Sequence, residues 1–476
     1  MPAASKPKSA PCVRRDQLDT RAGIEQKTQC FVDTNRRASV AGPIILLKLS
    51  GRDQGEAMVA LLRLLDQFGT RVLDIGRAEI HGESSLGMLL LLADAASADA
   101  LSIAATALLG GSANASLSLS ELTPEQYQAW AAGEGQSRYI VTLLARQLFA
   151  RQLLRITNVV QLHGLVIRRI TRLSGRPMLN ARAGDEQAIV EFELRAARPG
   201  TTDLRRDPRG ATGERGVDQQ ALRRALLDTL RPLDVDVSVQ MDDADRRNRR
   251  LVAFDMDSTL IQGEVIDELA GAYGVGEQVA SITAAAMRGE LDFATSFTRR
   301  VALLAGADAS LMDAVVRGVR LTDGAERLIR TLKRHGYRTA ILSGGFQQVG
   351  DRLKQMLGID HVYANRLEVV DGKLTGRALG TIVDGARKAA LLRELVEREG
   401  LRMAQAIAVG DGANDLQMLS VAGLGVAFRA KPIVAASAEH AITHFGLDAI
   451  LYLIGFSERD LRDPERVSDQ ASLAKL

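Results

Sequence analysis

Two carboxylates, Asp255 and Asp257, stand two residues apart directly after the short apolar run Leu251 to Phe254. Two further carboxylates, Asp411 and Asp415, follow a second apolar run later in the chain. Carboxylate oxygens suit Mg²⁺, which prefers hard oxygen ligands and keeps several of its waters. A carboxylate can also attack a phosphoryl group and form an aspartyl-phosphate. The four residues therefore predict phosphoryl chemistry beside a magnesium ion.

A group suited to phosphate oxygens follows a third apolar run, in the segment Ser343-Gly344-Gly345. A hydroxyl and two amides that lead into a helix form an anion cradle at the positive helix end. Lys388, on a helix predicted to begin near residue 385, supplies a positive charge for oxygens on which negative charge builds. Each segment alone also fits a solvated turn, an ordinary loop or a surface lysine. Their order after successive strands favours a single phosphate-handling site.

The elements that position these residues are short apolar strands, which alternate with helices from residue 251 onward. Such strands predict an α/β fold with a parallel sheet that is covered on both faces and binds ligands at its carboxyl ends. The predicted strands are Leu251 to Phe254, Arg338 to Leu342, Ala404 to Val409 and Leu424 to Ala427. A mostly helical stretch, 264–318, is too long for a simple crossover and predicts an inserted cap. Asp371-Gly372 indicates the type I′ turn of a hairpin.

The N-terminal half of the chain has a different pattern. Residues 1–41 are polar, lack apolar periodicity and predict a disordered tail. A strand, an amphipathic helix and two further apolar runs follow, so 42–112 predicts a small α+β domain. A second, degenerate unit of this kind is predicted at 157–241, with a long insertion at 197–216. The Arg-rich segment 242–250 indicates a solvated linker.

The composition of the 476 residues predicts a soluble globular chain of about three domains. Hydrophobic residues make up 46% and charged residues 25%, and no apolar run approaches the ~20 residues that span a bilayer. The first 40 residues lack the apolar core of a secretory signal, so we expect a cytoplasmic protein without a membrane partner. A net charge of +3 and only 4% aromatic residues argue against a nucleic-acid partner.

The other metal- and thiol-type residues favour structural or incidental roles. Cys12 and Cys30 lie in the polar tail without a partner base, and no Cys/His zinc spacing occurs. His440 and His444 are four residues apart, but no third ligand stands at a matching spacing. We therefore expect neither a catalytic thiol nor a histidine metal site.

Several of these segments resemble a known family. The segments Asp255 to Leu260, Ser343 to Phe346 and Gly410 to Asp415, together with Lys388, resemble the four motifs of the haloacid dehalogenase superfamily of phosphatases. More narrowly, three further segments resemble phosphoserine phosphatases, namely Glu264 to Glu268, the pattern Phe293-x-x-Ser296-x-x-x-Arg300-Val301 and Ala364 to Leu367. The resemblance implies a Rossmann-like phosphatase domain at 250–450 with its cap at 264–318, followed by a C-terminal extension at 451–476.

The resemblance also implies a covalent mechanism. Asp255 is expected to take the phosphoryl group, and Asp257 to protonate the leaving serine oxygen and later deprotonate the attacking water. Mg²⁺ is expected to bind the Asp255 carboxylate, the Asp257 backbone carbonyl and Asp411. Asp415 is expected to support these ligands.

The same resemblance implies how the phosphoryl end of the substrate is held. Ser343, Gly344 and Lys388 are expected to bind the phosphoryl oxygens, with Gly345 supporting the cradle. Asn414 is expected to help hold the substrate.

In the cap, the resemblance implies a site for an amino acid. Glu264 is expected to meet the ammonium group of the substrate and Arg300 its carboxylate, which a guanidinium engages through two parallel hydrogen bonds. Met287 and Phe293 are expected to form the apolar wall of the pocket.

The first N-terminal unit resembles the ACT-type domain of longer bacterial phosphoserine phosphatases, through the turn Gly51 to Gly55 and the run Val72 to Gly82. Such domains bind amino acids between paired copies, often for feedback control. The turn departs from the usual Asp-Arg-Pro-Gly sequence, and the second unit keeps little of the ACT sequence pattern. Serine feedback, a homodimer and a purely structural role are therefore all open alternatives.

The expected reaction is hydrolysis of O-phospho-L-serine to L-serine and phosphate, the last step of L-serine biosynthesis. One alternative is a phosphatase for another small phosphomonoester. Such a substrate leaves the charges of Glu264 and Arg300 without partners, which is costly for buried groups. The other alternative is an amino-acid sensor with an inert phosphatase half, against which the intact Asp255, Asp257 and Lys388 argue.

Overall fold

The computed structural model describes residues 42–52, 55–109, 115–131, 137–175, 187–197 and 217–461. The chain forms two compact units, residues 1–135 and 136–476. The predicted tail at 1–41 and nearly all of the predicted insertion at 197–216 lie outside the described residues. Within the described part of the chain, no helix combines the length and apolar character needed to cross a membrane.

The first unit is a four-stranded antiparallel sheet with helices. Its elements are β1 (Ile44–Arg52), α1 (Gly55–Gln67), β2 (Arg71–Ile80), β3 (Glu83–Leu91), α2 (Ala95–Leu109), β4 (Ala115–Leu122) and α3 (Pro124–Ala131). The strand order is β2-β3-β1-β4. Leu47 and Leu49 of β1 are buried with Leu61 and Leu65 of α1. The predicted boundary at residue 112 is wrong, because β4 lies beyond it and pairs with Ile44 to Gly51 of β1.

The second unit begins with another βαββαβ arrangement. Its elements are β5 (Arg138–Ala145), α4 (Ala150–Leu162), β6 (Leu165–Arg172), β7 (Ala188–Ala196), α5 (Gln219–Leu230) and β8 (Asp236–Met241), with strand order β6-β7-β5-β8. Helix α5 begins where the Asp218 side chain accepts the backbone N–H groups of Gln220 and Ala221. The predicted start at residue 157 is wrong, because β5 is a central strand and pairs with both β7 and β8.

Strand β8 fixes this sheet to the rest of the unit through three buried polar side chains, two residues apart. Asp236 accepts the backbone N–H groups of Thr443 and His444, each at 2.9 Å. The Ser238 hydroxyl lies 2.9 Å from Nδ1 of His440. Gln240 donates to the backbone carbonyl of Leu453 at 2.9 Å. His440 therefore has a packing role at this junction.

The Arg-rich segment after β8 is also part of this junction. Arg246 lies 2.6 Å from the Glu191 carboxylate, and Arg249 donates to Oε1 of Gln240 at 2.9 Å. Both arginines are buried. Burial, and then the charge of Arg246, lowers the pKa of Arg249 to about 10. The prediction of a solvated linker is wrong for these two arginines, because Glu191 contacts Arg246 and the Gly423 carbonyl accepts a hydrogen bond from Arg249 at 3.2 Å, both from distant parts of the chain.

The remaining strands form a seven-stranded sheet. They are β9 (Leu251–Phe254), β10 (Arg338–Phe346), β11 (His361–Val370), β12 (Lys373–Leu379), β13 (Ala406–Gly410), β14 (Leu424–Phe428) and β15 (His440–Ile442). The order is β12-β11-β10-β9-β13-β14-β15, and every pair is parallel except β11 with β12. This mixed architecture confirms the predicted fold class of a Rossmann-like sheet preceded by an ACT-like α+β region.

The helices that accompany this sheet are α6 (Val265–Tyr273), α7 (Gly276–Met287), α8 (Phe293–Ala302), α9 (Ser310–Gly318), α10 (Ala325–Arg334), α11 (Gln347–Leu357), α12 (Gly385–Arg398), α13 (Leu416–Val421), α14 (Pro432–Ser437), α15 (Ile450–Leu453) and α16 (Glu458–Leu461). The central strand β9 is buried on both faces. Val252 and Phe254 belong to one core cluster, whereas Leu251 and Ala253 belong to another. Because side chains alternate along a strand, this division shows that packing covers both faces of the sheet.

Helices α6 to α9 occupy the stretch that the sequence predicts to be a cap. Two chain segments connect them to the sheet, and these segments meet at an isolated antiparallel bridge between Ile261 and Leu321. The backbone N–H of Gln262 donates to the carbonyl of Arg320 at 2.9 Å. The entrance and exit of the cap therefore lie side by side.

The C-terminal helix α15 belongs to the core of the sheet domain. Leu451, Tyr452 and Leu453 are each no more than 1% exposed and lie in the same cluster as Phe254. The predicted start of the extension at residue 451 is therefore wrong, because α15 is part of the apolar layer on one face of the sheet.

Candidate active site

The carboxyl ends of the three adjacent strands β10, β9 and β13 bring the predicted residues together. Asp255 follows β9 directly, and its backbone N–H donates to the carbonyl of Val409 in β13 at 2.8 Å. Ser343 lies within β10, and Asp411 follows β13. Three chain segments far apart in sequence therefore meet at one edge of the sheet, where parallel α/β sheets bind ligands.

Lys388 is the fully buried cation of this cluster. Its Nζ lies 2.8 Å from Oδ2 of Asp255 and 2.7 Å from Oδ1 of Asp415. Burial works to lower the pKa of Lys388, but the charges of the two carboxylates and their hydrogen bonds raise it above its ordinary value. Lys388 is positioned because α12 begins at a cap in which Asp384 accepts the backbone N–H of Arg387.

Asp255 and Asp257 sit in a tight turn after β9 and have different environments. Oδ1 of Asp255 accepts the N–H of Met256 at 2.7 Å, so the carboxylate is held by this amide and by Lys388. Asp257 is buried, and its Oδ1 is 3.4 Å from the N–H of Val265. Burial, and then the charges of Glu264 and Asp255, raises the pKa of Asp257 well above its ordinary value. A raised pKa favours the protonated carboxyl, which is the form that a general acid needs.

A group of carboxylates at this edge has the chemistry of a metal site. One ligand atom from each of Asp255, Asp411 and Asp415 lies within 4.8 Å of the others. Burial, and then the charge of Asp255, raises the pKa of Asp411 and of Asp415 to about 7. Three crowded carboxylates with one lysine carry excess negative charge, and a divalent cation relieves this repulsion. These residues therefore fit a hard divalent metal ion.

The Ser-Gly-Gly segment lies against Asp257 in the turn after β9 and against Phe293 in the cap. The Ser343 hydroxyl accepts the N–H of Gly345 at 2.9 Å. A Cβ at position 344 would lie 2.5 Å from the Phe293 ring, and a Cβ at position 345 would meet the Asp257 carboxylate. Glycine is therefore required at both positions for this close approach.

Two residues of the site have contacts that the motif assignments do not describe. Asn365 is buried, donates to the carbonyl of Gly344 at 2.8 Å and accepts the N–H of Val383 at 2.9 Å. The Thr259 hydroxyl donates to Oδ1 of Asp411 at 3.0 Å. Both residues fall within segments that the family resemblance marked, but their partners are set by tertiary structure.

The cap contributes two charged residues near the carboxylates. The Ser258 hydroxyl donates to Oε1 of Glu264 at 3.2 Å. Burial, and then the charge of Asp255, raises the pKa of Glu264. Burial lowers the pKa of Arg300, and the charges of Glu264 and Asp267 partly offset this effect. Glu264 and Arg300 therefore interact electrostatically beside the turn that carries Asp255 and Asp257.

The other predicted site residues are placed differently. Phe293 stacks on Phe297 with ring centroids 6.2 Å apart and faces the Gly344 position. Asn414 lies against the start of α12, where a Cβ on Gly385 would be 2.7 Å from its backbone oxygen. Met287 is 65% exposed, with its Sδ 3.1 Å from Nζ of Lys431. No contact among the described residues joins Met287 to the carboxylate cluster.

Comparisons with known proteins agree with this geometry. Residues 252–420 match the model of the haloacid dehalogenase-like hydrolases, and residues 43–119 match that of the ACT domain. The chain is 45% identical over 335 residues to a phosphoserine phosphatase of Streptomyces coelicolor, covering 70% of this chain and 75% of that protein. It is 37% identical over 419 residues to the phosphoserine phosphatase SerB2 of Mycobacterium tuberculosis, covering 88% of this chain and 94% of that protein.

A solved structure shows the same fold. The HAD family hydrolase of Salmonella enterica serovar Typhi superposes with a TM-score of 0.54 at 29% identity, covering 67% of this chain and 99% of that chain. High identity over most of two relatives, together with the two matching family models, shows the family. The chain belongs to the phosphoserine phosphatases, a family of haloacid dehalogenase-like hydrolases, and it also carries an ACT domain.

Proposed function

We propose that this chain is a Mg²⁺-dependent phosphatase that hydrolyses O-phospho-L-serine to L-serine and phosphate, the last step of L-serine biosynthesis. The observation that carries the proposal is that two neighbouring carboxyl groups have different environments. Asp255 is held by Lys388 and by the Met256 amide, whereas the buried Asp257 has a raised pKa. Asp255 is therefore suited to act as the nucleophile, and the neighbouring Asp257 is suited to act as the general acid.

In the first step, a carboxylate oxygen of Asp255 forms a bond to phosphorus while the bond from phosphorus to the serine oxygen breaks. Asp257 gives its proton to that leaving oxygen. In the second step, the Asp257 carboxylate takes a proton from water, whose oxygen attacks phosphorus and releases Asp255. One residue thus acts first as acid and then as base.

The cation at this site would be held by Asp255 and Asp411, whose ligand atoms cluster with one of Asp415. The family resemblance adds the Asp257 backbone carbonyl as a ligand and gives Asp415 a supporting role. When bound, Mg²⁺ neutralises charge on the carboxylates and on the phosphoryl oxygens. Lys388 keeps Asp255 oriented and stabilises the equatorial oxygens as their charge grows. The Ser343 hydroxyl and the Gly344 amide complete the cradle, and Asn414 supports the substrate.

The amino-acid specificity is proposed to reside in the cap. Arg300 and Glu264 provide opposite charges close to the catalytic turn, which matches the carboxylate and the ammonium group of phosphoserine. Phe293 supplies an apolar wall near Gly344. A substrate without these two groups leaves both cap charges unpaired.

The test is a substrate panel of phosphoserine, phosphoethanolamine and an aryl phosphate, measured with wild type, Arg300→Ala and the neighbouring exposed control Arg299→Ala. Charged hydrogen bonds contribute about 1.5–3 kcal/mol. Arg300→Ala should therefore lower kcat/KM for phosphoserine about 10- to 100-fold while sparing the two substrates that lack a carboxylate. Equal losses on all three substrates would remove Arg300 from substrate recognition. A wild-type enzyme with no preference for phosphoserine would favour another small phosphomonoester.

We further propose that the ACT region binds an amino acid, with L-serine as a feedback ligand, and that the first unit pairs in a homodimer. The support for pairing is β2, an edge strand whose side chains are almost all exposed, including Val72, Ile75 and Ile80. Unpaired edges of this kind invite a further strand. Serine titrations of activity and of sedimentation behaviour test both parts. Activity and mass that are indifferent to serine, with a monomer throughout, would leave a structural role.

A further inference from the structure

The three carboxylates of the proposed metal site are held by different kinds of partner. Asp255 accepts the Met256 amide and pairs with Lys388. Asp415 pairs with Lys388 at 2.7 Å and accepts the N–H of Gly412 at 3.0 Å. Each of these two carboxylates thus has a charged partner and a backbone donor, which together fix the plane of the group.

Asp411 is held differently. Among the described residues, its carboxylate has one hydrogen-bond donor, the hydroxyl of Thr259, at 3.0 Å from Oδ1. No ion pair within 4.0 Å involves Asp411 in the described part of the chain. The orientation of this carboxylate in the metal-free protein therefore depends on one neutral hydroxyl.

Thr259 is well placed to act as this donor. Its side chain is fully buried, so an unpaired hydroxyl would be costly there. The turn that carries it is closed by the bond from the Ile261 N–H to the Met256 carbonyl at 3.0 Å. The branched side chain of threonine also has few rotamers. A carboxylate must be ionised to bind a metal ion and can then only accept a hydrogen bond, so in that state the Thr259 proton points at Asp411.

We propose that Thr259 is a positioning residue that orients the Asp411 carboxylate for the divalent metal ion. The hydroxyl occupies Oδ1 and leaves Oδ2 free for the ion. This inference rests on the proposed function, because it assumes that Asp411 is a metal ligand. Loss of such a supporting hydrogen bond typically weakens metal affinity about 10- to 100-fold.

The experiment is a Mn²⁺ titration of the full chain, followed by electron paramagnetic resonance without substrate. The variants are Thr259→Val, which keeps the shape and removes the donor, and Thr259→Ser, which restores the donor. We expect Thr259→Val to raise the Mn²⁺ Kd about 10- to 100-fold and Thr259→Ser to stay within about threefold of wild type. Thr259→Ala supplies a second donor-free variant if the valine protein does not fold.

The matched control is Thr339→Val. Thr339 is also fully buried, and its hydroxyl donates to a carboxylate, Oδ2 of Asp360, at 2.9 Å. It lies near the start of β10, at the amino end of this strand, whereas the site lies at the carboxyl ends of the strands. This control should lose comparable stability in EDTA but leave the Mn²⁺ Kd unchanged.

Activity provides a second readout. Thr259→Val should need more Mg²⁺ for half-maximal activity than wild type, whereas Thr259→Ser should need about the same amount. An unchanged Mn²⁺ Kd in Thr259→Val, or the same weakening in Thr259→Ser, would overturn the positioning role. Asp411→Asn tests the proposed metal site separately from the role of Thr259. Wild-type Mn²⁺ affinity in that variant would overturn the proposed metal site itself.

Discussion

Replacing Lys388 by methionine should destabilise the protein more than any surface lysine replacement. Methionine has a similar length but no charge, so the change leaves Asp255 and Asp415 without the ammonium group that lies 2.8 Å and 2.7 Å from them. Lys388 and Asp415 have fully buried side chains, and that of Asp255 is 8% exposed. Solvent therefore does little to compensate for the lost charge.

The expected size follows from the burial of the pair. Breaking a buried ion pair by removing one partner costs about 3–5 kcal/mol, because an uncompensated charge stays inside the protein. Whole domains are stable by about 5–15 kcal/mol, so Lys388→Met should retain its fold under native conditions. The loss of a preorganised positive charge should also lower kcat at least about 100-fold.

The assay is urea unfolding of the full chain in EDTA at pH 8, followed by far-ultraviolet circular dichroism. Fluorescence is unsuitable because Trp130, the single tryptophan of the chain, lies in the first unit. The matched control is Lys333→Met, whose ammonium group pairs with Asp360 at 3.0 Å but is 35% exposed. Exposed pairs contribute about 0–1 kcal/mol. If Lys388→Met loses no more stability than this control, the account of Lys388 as the neutralising charge is refuted.

Two further predictions concern the proposed nucleophile and the junction at which β8 contacts His440. Asp255→Asn should lower phosphoserine turnover at least about 1,000-fold with an unchanged circular dichroism spectrum; substantial activity would contradict the covalent route. Burial, and then the charge of Arg223, lowers the pKa of His440 to about 3, against about 6.5 when unfolded. Between these two pKa values the unfolded chain binds more protons than the folded chain, so the free energy of unfolding falls as the pH falls. In urea unfolding, wild type should lose about 2 kcal/mol more of this free energy than His440→Gln between pH 6.5 and 4.5. Equal losses would show that His440 does not titrate as described.

Much of the catalytic site was predictable from local sequence, because each chemical group directly follows a strand with a recognisable apolar pattern. Leu251 to Phe254 forms β9, and Asp255 follows it as predicted. The Asp371-Gly372 signal corresponds to the hairpin between β11 and β12, with positive φ angles of 49° and 76°. The family motifs added the assignments of residue roles, which strand patterns alone do not contain.

The limits of the α+β units were missed for two different reasons. Strand β5 had a readable signal in its apolar run, Tyr139 to Ala145, which the prediction did not use. Strand β4 alternates serine and leucine with only partial burial, so its assignment depends on pairing with β1. The burial of Arg246 and Arg249 could not be inferred from a charge run, because Glu191 and the Gly423 carbonyl, which they contact, lie 55 and 174 residues away in sequence.

The sequence by itself determined which residue types stand at the ends of the strands, and hence the kind of chemistry. Only the tertiary structure decided how these residues are oriented and charged. The Thr259 to Asp411 hydrogen bond joins positions 152 residues apart, and the raised pKa of Asp257 comes from burial first. Both depend on the distance between groups and on exclusion of water, and these arise when β10, β9 and β13 come together in the sheet.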